Sequence, residues 1–153
     1  MKSFPLIVRR FVLCGLIALL GALPCIAQGS RPKQAGKFNA AIVELRKVKT
    51  VASTHTGVAG VPSLFGEVSL ELLKYGTEED FFSLLEDKSP VMRSMGLYCL
   101  AQKDVKKHAD VIKRFVEDKE RISLVVGCEV NENATVGEVA RLLLGNPRNM
   151  NYY

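Results

Sequence analysis

The sequence predicts an all-α fold: a short stack of antiparallel helical hairpins that follows a cleaved signal peptide. Three observations lead there. Apolar residues recur every three or four positions along most of the chain, the period of one helix face. Capping signals of the Thr-x-x-Asp and Thr-x-x-Glu type punctuate those runs. Glu86-Asp87-Lys88 recurs 31 residues later as Glu117-Asp118-Lys119, close to the period of stacked helical repeats. With 153 residues, 48% apolar and 24% charged, the chain has enough apolar material for one packed core.

The first segment reads as an address. Lys2, Arg9 and Arg10 precede the uncharged run Phe11–Leu23, and Pro24 then leads into Cys25-Ile26-Ala27. That is the layout of a secretory signal peptide cut after Ala27. About 13 apolar residues fall short of the roughly 20 that cross a bilayer core. No stable membrane span is therefore expected after cleavage, and the expected location is exported, periplasmic or secreted. The expected organisation is a signal peptide over 1–27, a flexible leader over 28–37, a helical repeat domain over 38–146 and a tail over 147–153.

The formal charge of +5 owes three cations to the signal segment. Their loss leaves 18 Lys and Arg against 16 Asp and Glu, a net of +2. A general nucleic-acid surface is not indicated by that balance. Residues 28–49 keep six cations and one anion, whereas 50–153 hold twelve cations and fifteen anions. The basic stretch reads as a solvated lead-in in preference to a site for an anionic partner.

The elements follow in order. Phe38, Ala41, Ile42, Leu45, Val48 and Ala52 form one helix face, and the hydroxyl- and glycine-rich Ser53–Gly60 reads as a loop. Pro62 suits the first turn of a second helix with the stripe Phe65, Val68, Leu72 and Tyr75, closed by Gly76. Thr77 and Asp80 cap a short helix carrying Phe81, Phe82 and Leu85. Ser89 and Pro90 open the next, with Val91, Met92, Met95, Tyr98 and Cys99 inward. Another runs from about Val105 to Val116. Ile122, Val125, Val126 and Val130 are β-branched enough for a strand, but the 31-residue recurrence favours helix there. Thr135 and Glu138 cap a last helix that stops at Gly145 and Pro147.

At the same shift of 31, Leu84 aligns with Phe115, Phe81 with Ile112, Val91 with Ile122 and Gly96 with Gly127. The run Leu84-Leu85-Glu86-Asp87-Lys88-Ser89-Pro90-Val91-Met92-Arg93-Ser94-Met95-Gly96 resembles a HEAT repeat. Asp87, Pro90, Arg93 and Gly96 occupy that family's motif positions. The second copy keeps Asp118 and Gly127 but has Arg121 and Leu124 where the family has Pro and Arg. The resemblance implies a HEAT-like α-solenoid fragment that binds another protein on an exposed face. It also implies that Asp87 and Arg93 hold successive repeats together.

Little in the chain points to catalysis. Cys99 and Cys128 survive signal cleavage; an oxidising compartment allows a disulfide between them, and two packed free thiols are the equal alternative. His55, among hydroxyls, lacks a nucleophile elbow or a placed acid. His108 lies on an apolar face and reads as a hydrogen-bonded core or boundary histidine in preference to a ligand. Cys99, Cys128 and His108 form a metal site only if the fold converges them, so no metal and no cofactor is expected. The function expected is an exported, non-catalytic HEAT-like protein-interaction module whose partner the sequence does not name. The alternative is a periplasmic inhibitor or immunity protein that neutralises a toxin or a cell-wall hydrolase.

Overall fold

The computed structural model describes residues 31–151, with side chains from Lys33 onward. The signal-peptide reading of 1–27 lies outside them. The chain runs α1 (Arg31–Leu45), β1 (Thr50–Thr56), β2 (Val61–Pro62), α2 (Leu64–Tyr75), α3 (Glu78–Leu85) and α4 (Pro90–Lys113). It continues through β3 (Arg121–Gly127), β4 (Glu129–Thr135) and α5 (Val136–Gly145) to a 3-10 turn over Pro147–Met150. α1 begins inside the stretch read as a leader.

The all-α expectation is corrected by a four-stranded mixed sheet of order β2-β1-β3-β4. β1 and β3 run parallel with Thr50 opposite Ser123 and Val51 opposite Leu124; β2 and β4 pair antiparallel on either side. The supposed loop Ser53–Gly60 is most of β1 and its turn, and the supposed helix Ile122–Val130 is a hairpin. The physical reason is side-chain shape. Thr50, Val51, Thr54 and Thr56 in one strand and Ile122, Val125 and Val126 in the other are β-branched, stiff at χ1 and suited to a pleated surface. Pro62 closes β2 instead of opening a helix, and Ser63 caps α2, its hydroxyl accepting from the Gly66 N–H at 2.9 Å.

The capping boxes fall where the sequence placed them, at Thr77/Asp80 and Thr135/Glu138. Two helices were expected across residues 91–116, and α4 breaks between them at Asp104, which has φ −166° and ψ 98°. The Asp104 carboxylate accepts the N–H groups of Lys106 and Lys107, both at 3.0 Å, and so recaps the second half. The first half of α4 is the centre of the core. Met92, Met95, Leu97 and Leu100 are fully buried there, with Phe65, Phe81, Leu72 and Leu143 from other elements. Each such side chain contributes about 1.5–3 kcal/mol on burial.

The 31-residue recurrence marks a repeated turn and not a repeated hairpin. The Asp87 carboxylate accepts the Ser89 N–H at 2.8 Å, and the Asp118 carboxylate accepts the Glu120 N–H at 3.0 Å. Arg93 ties the two turns together. Its guanidinium donates to the Asp87 and Lys88 carbonyls at 3.0 and 3.1 Å and pairs with Asp118 at 3.0 Å. Beyond the turns the copies diverge, because Pro90 starts a helix and Arg121 starts a strand. The aligned glycines serve different ends. Gly96 admits α3, since a Cβ there would sit 2.9 Å from the Phe81 carbonyl oxygen. Gly127 takes φ +59° to turn β3 into β4.

Candidate functional site

α1 and α2 pack through Phe38, Ala41 and Leu45 on one side and Phe65, Val68 and Leu72 on the other, all buried. The same helical period leaves a second stripe on each helix beside that seam. On α1 it is Lys37, Ala40 and Glu44; on α2 it is Leu64, Glu67 and Glu71. These stripes bound a groove of about 510 Å³ whose floor includes Ala41 and Val68. Ala40 and Ala41 keep the floor open, and Leu64 is 48% exposed at its edge. The chain entering Leu64 adds further uncovered apolar surface, with Val58 99% and Val61 58% exposed.

The rim is acidic. The Lys37 ammonium donates to the Tyr75 hydroxyl at 3.0 Å and lies 4.7 Å from the ring centroid. That hydrogen bond raises the Lys37 pKa and lowers that of the Tyr75 phenol, with Glu71 adding a weaker pull on Lys37. Glu44 accepts from Lys47 at 2.7 Å. Glu67 and Glu71 make no ion pair among the described residues. An apolar floor with unpaired carboxylates at its lip suits an apolar segment flanked by cations.

A second groove of about 520 Å³ lies between α5 and the β3–β4 hairpin, over Leu124, Val126 and Leu142. Its polar groups are largely committed. Arg141 donates to the Val116 carbonyl at 2.7 Å, and Glu138 closes the α5 capping box. The adjoining edge strand β4 is blunted by Glu129, Glu132 and a register shift opposite Ile122–Leu124, features that discourage strand addition.

The residues singled out for chemistry are dispersed. His55 sits on β1 opposite Pro62, its Nδ1 3.3 Å from the Thr54 hydroxyl. His108 is buried in the second half of α4, edge-on to Phe82 at 5.8 Å, with Nε2 3.6 Å from a Glu78 carboxylate oxygen. Glu78 is held below its usual carboxyl value chiefly by the Lys107 ammonium. Cys99 and Cys128 are both free: Cys99 is in the core of α4, where burial pushes its thiol far up, and Cys128 is exposed at the β3–β4 turn. Among the described residues no group of three or more His, Cys, Asp or Glu side chains is placed to hold a metal. Sequence reasoning missed the groove because its apolar lip, Val58 to Leu64, lies in a segment read as loop and helix start. The β-branched Thr50, Val51, Thr54 and Thr56 of β1 were the one local hint that this segment is a strand.

The fold and groove define a small mixed α/β domain with an open, acid-rimmed helical surface. No family model matches the chain, and no curated protein matches it. Its fold is similar to that of a chain in the crystal structure of the Snu23-Prp38-MFAP1(217-258) complex of Chaetomium thermophilum. The TM-score is 0.57 at 17% identity, over 70% of this chain and 57% of that one. This chain thus spans little more than half the length of that neighbour, and at this identity the likeness concerns the fold alone. That neighbour comes from a protein complex, and no helix among the described residues is long and apolar enough to cross a membrane.

Proposed function

We propose that this chain is an exported, non-catalytic protein-interaction domain that receives a basic, amphipathic segment of a partner protein in the groove between α1 and α2. The observation that carries the reading is the α2 stripe of exposed Leu64 with Glu67 and Glu71, which lack an ion-pair partner among the described residues, facing Ala40 and Ala41 of α1 across the cleft. The α1 stripe from Lys37 to Glu44 spans about 10 Å at 1.5 Å per residue, room for about two turns of a docked helix. The partner's apolar residues cover Leu64 and Val68, and its lysines or arginines face Glu67 and Glu71. Export rests on the charged, apolar and small-residue order of residues 1–27.

The test is fluorescence anisotropy of a labelled leucine- and lysine-containing amphipathic peptide against the full chain. Saturable binding that weakens with added salt is expected. It should be lost in a Glu67→Lys/Glu71→Lys variant and reduced in Leu64→Ser. Binding that ignores all three substitutions overturns the assignment of this groove.

A further inference from the structure

A third concavity, of about 400 Å³, lies at the opposite functional extreme: its charged lining is mostly cationic. Arg46 follows α1, Lys49 precedes β1 and Arg121 is the first residue of β3. The parallel register, with Thr50 opposite Ser123, brings Lys49 and Arg121 to the same end of the sheet. Arg46 is fixed there by Asp87, at 2.9 Å. Lys49 and Arg121 make no ion pair among the described residues. The Ser89 hydroxyl, in the same wall, makes no capping hydrogen bond to α4. Glu132 is the acid among the lining residues and pairs with none of the three cations. Cations from three separate parts of the chain thus converge on one hollow, with two of them lacking a paired carboxylate among the described residues.

Like charges held together repel, and a bound anion relieves that repulsion while gaining charge-assisted hydrogen bonds. We propose that this hollow binds the phosphate group of a small phosphate monoester. Arg121 and Lys49 supply the free charges, Arg46 the positioned guanidinium and Ser89 a neutral donor. Beside the cations the hollow is lined by Val91 and Ile122, and the ester's organic part rests against them. A nucleic-acid strand would need a basic track, and these cations are confined to one pocket.

The proposal is tested on the full chain by amide chemical-shift titration at low salt, with phenyl phosphate and inorganic phosphate in separate arms. Saturable shifts at Ser89, Arg121 and Ser123 are expected, tighter for phenyl phosphate. A Lys49→Gln/Arg121→Gln variant should weaken binding by about tenfold or more, the loss of two charge-assisted contacts. Glu132→Gln should strengthen it, an effect that a merely structural role for these residues does not produce. Absence of saturable shifts, or shifts unchanged in both variants, overturns the site. Inorganic phosphate binding as tightly as the ester overturns the assignment to an organic phosphate.

Discussion

Arg93 bridges the turn that enters α4 and the turn that enters β3. It reaches two carbonyls of the α3–α4 turn and the Asp118 carboxylate of the turn before β3, and both members of the ion pair are largely shielded, at 12% and 15% exposure. Truncation leaves Asp118 and two carbonyls without their donor, so Arg93→Ala should cost about 2–3 kcal/mol in urea unfolding. Arg93→Lys should recover little, because one ammonium cannot span three acceptors. A loss of under about 0.5 kcal/mol would show that the bridge is dispensable. Asp87 carries a pH dependence. The Ser89 N–H, then Arg46, hold its carboxyl below the ordinary value, which is about 3.9. Folding therefore favours the ionised form, and that stability is complete above about pH 5 and drains away as pH falls through and below about 4. Asp87→Asn should flatten the acid limb of a stability-against-pH curve; an unchanged limb removes Asp87 from the account. The cysteines differ by environment. An alkylating reagent at neutral pH should label Cys128 at once and Cys99 only after denaturation, as read by mass spectrometry of the peptides that carry each.

Among the elements, β1 is the one whose placement decides most. Its Ser53 is wholly buried and its hydroxyl works twice, donating to the His55 carbonyl at 2.7 Å and accepting the Gly127 N–H at 3.0 Å. The second bond crosses to β3 just where the parallel ladder shifts register, between Ala52 and Thr56. Ser53→Ala leaves the Gly127 N–H buried without a partner. It should destabilise by about 1–3 kcal/mol, with amide exchange quickened at Gly57 and Gly127 and unchanged in α5. Uniform quickening would instead mean that β1 and β3 open only with the whole domain. The helices were more legible than the strands. Both capping boxes, the Pro90 start and the break between the two halves of α4 follow from local chemistry, each contained within a few residues of sequence. β1 and β3 were not legible, because their pairing partners lie about seventy residues apart in the chain and neither strand alternates cleanly.

For the whole molecule, the residues from Arg31 onward form one compact unit. The 3-10 turn is part of it, since Met150 is fully buried and Asn151 accepts the Tyr98 hydroxyl at 2.6 Å. Denaturant unfolding followed by far-ultraviolet circular dichroism and by the near-ultraviolet tyrosine signal should therefore give one coincident transition. Two separated transitions would show that the tail or the sheet melts independently. The candidate groove was half legible. The periodicity that marks the buried faces of α1 and α2 also marks Lys37, Ala40, Glu44 and Leu64, Glu67, Glu71 as their flanks, but nothing in it says that those flanks meet. Likewise the surplus of cations in residues 28–49 was visible, whereas the arrival of Arg121 beside Arg46 and Lys49 was not. Local pattern marked most of the helix faces, the capping boxes, the two aspartate turns and the apolar setting of His108, because each rests on residues within a turn or two of one another; it ran the first face on through Val48 and Ala52, which lie beyond α1, Ala52 in β1. Only the tertiary structure decided that Ile122–Val126 is a strand and that the recurring turns are bridged side by side without a recurring hairpin. That choice is made by the parallel partner β1, and the free energy of pairing two distant segments is absent from the local pattern of either.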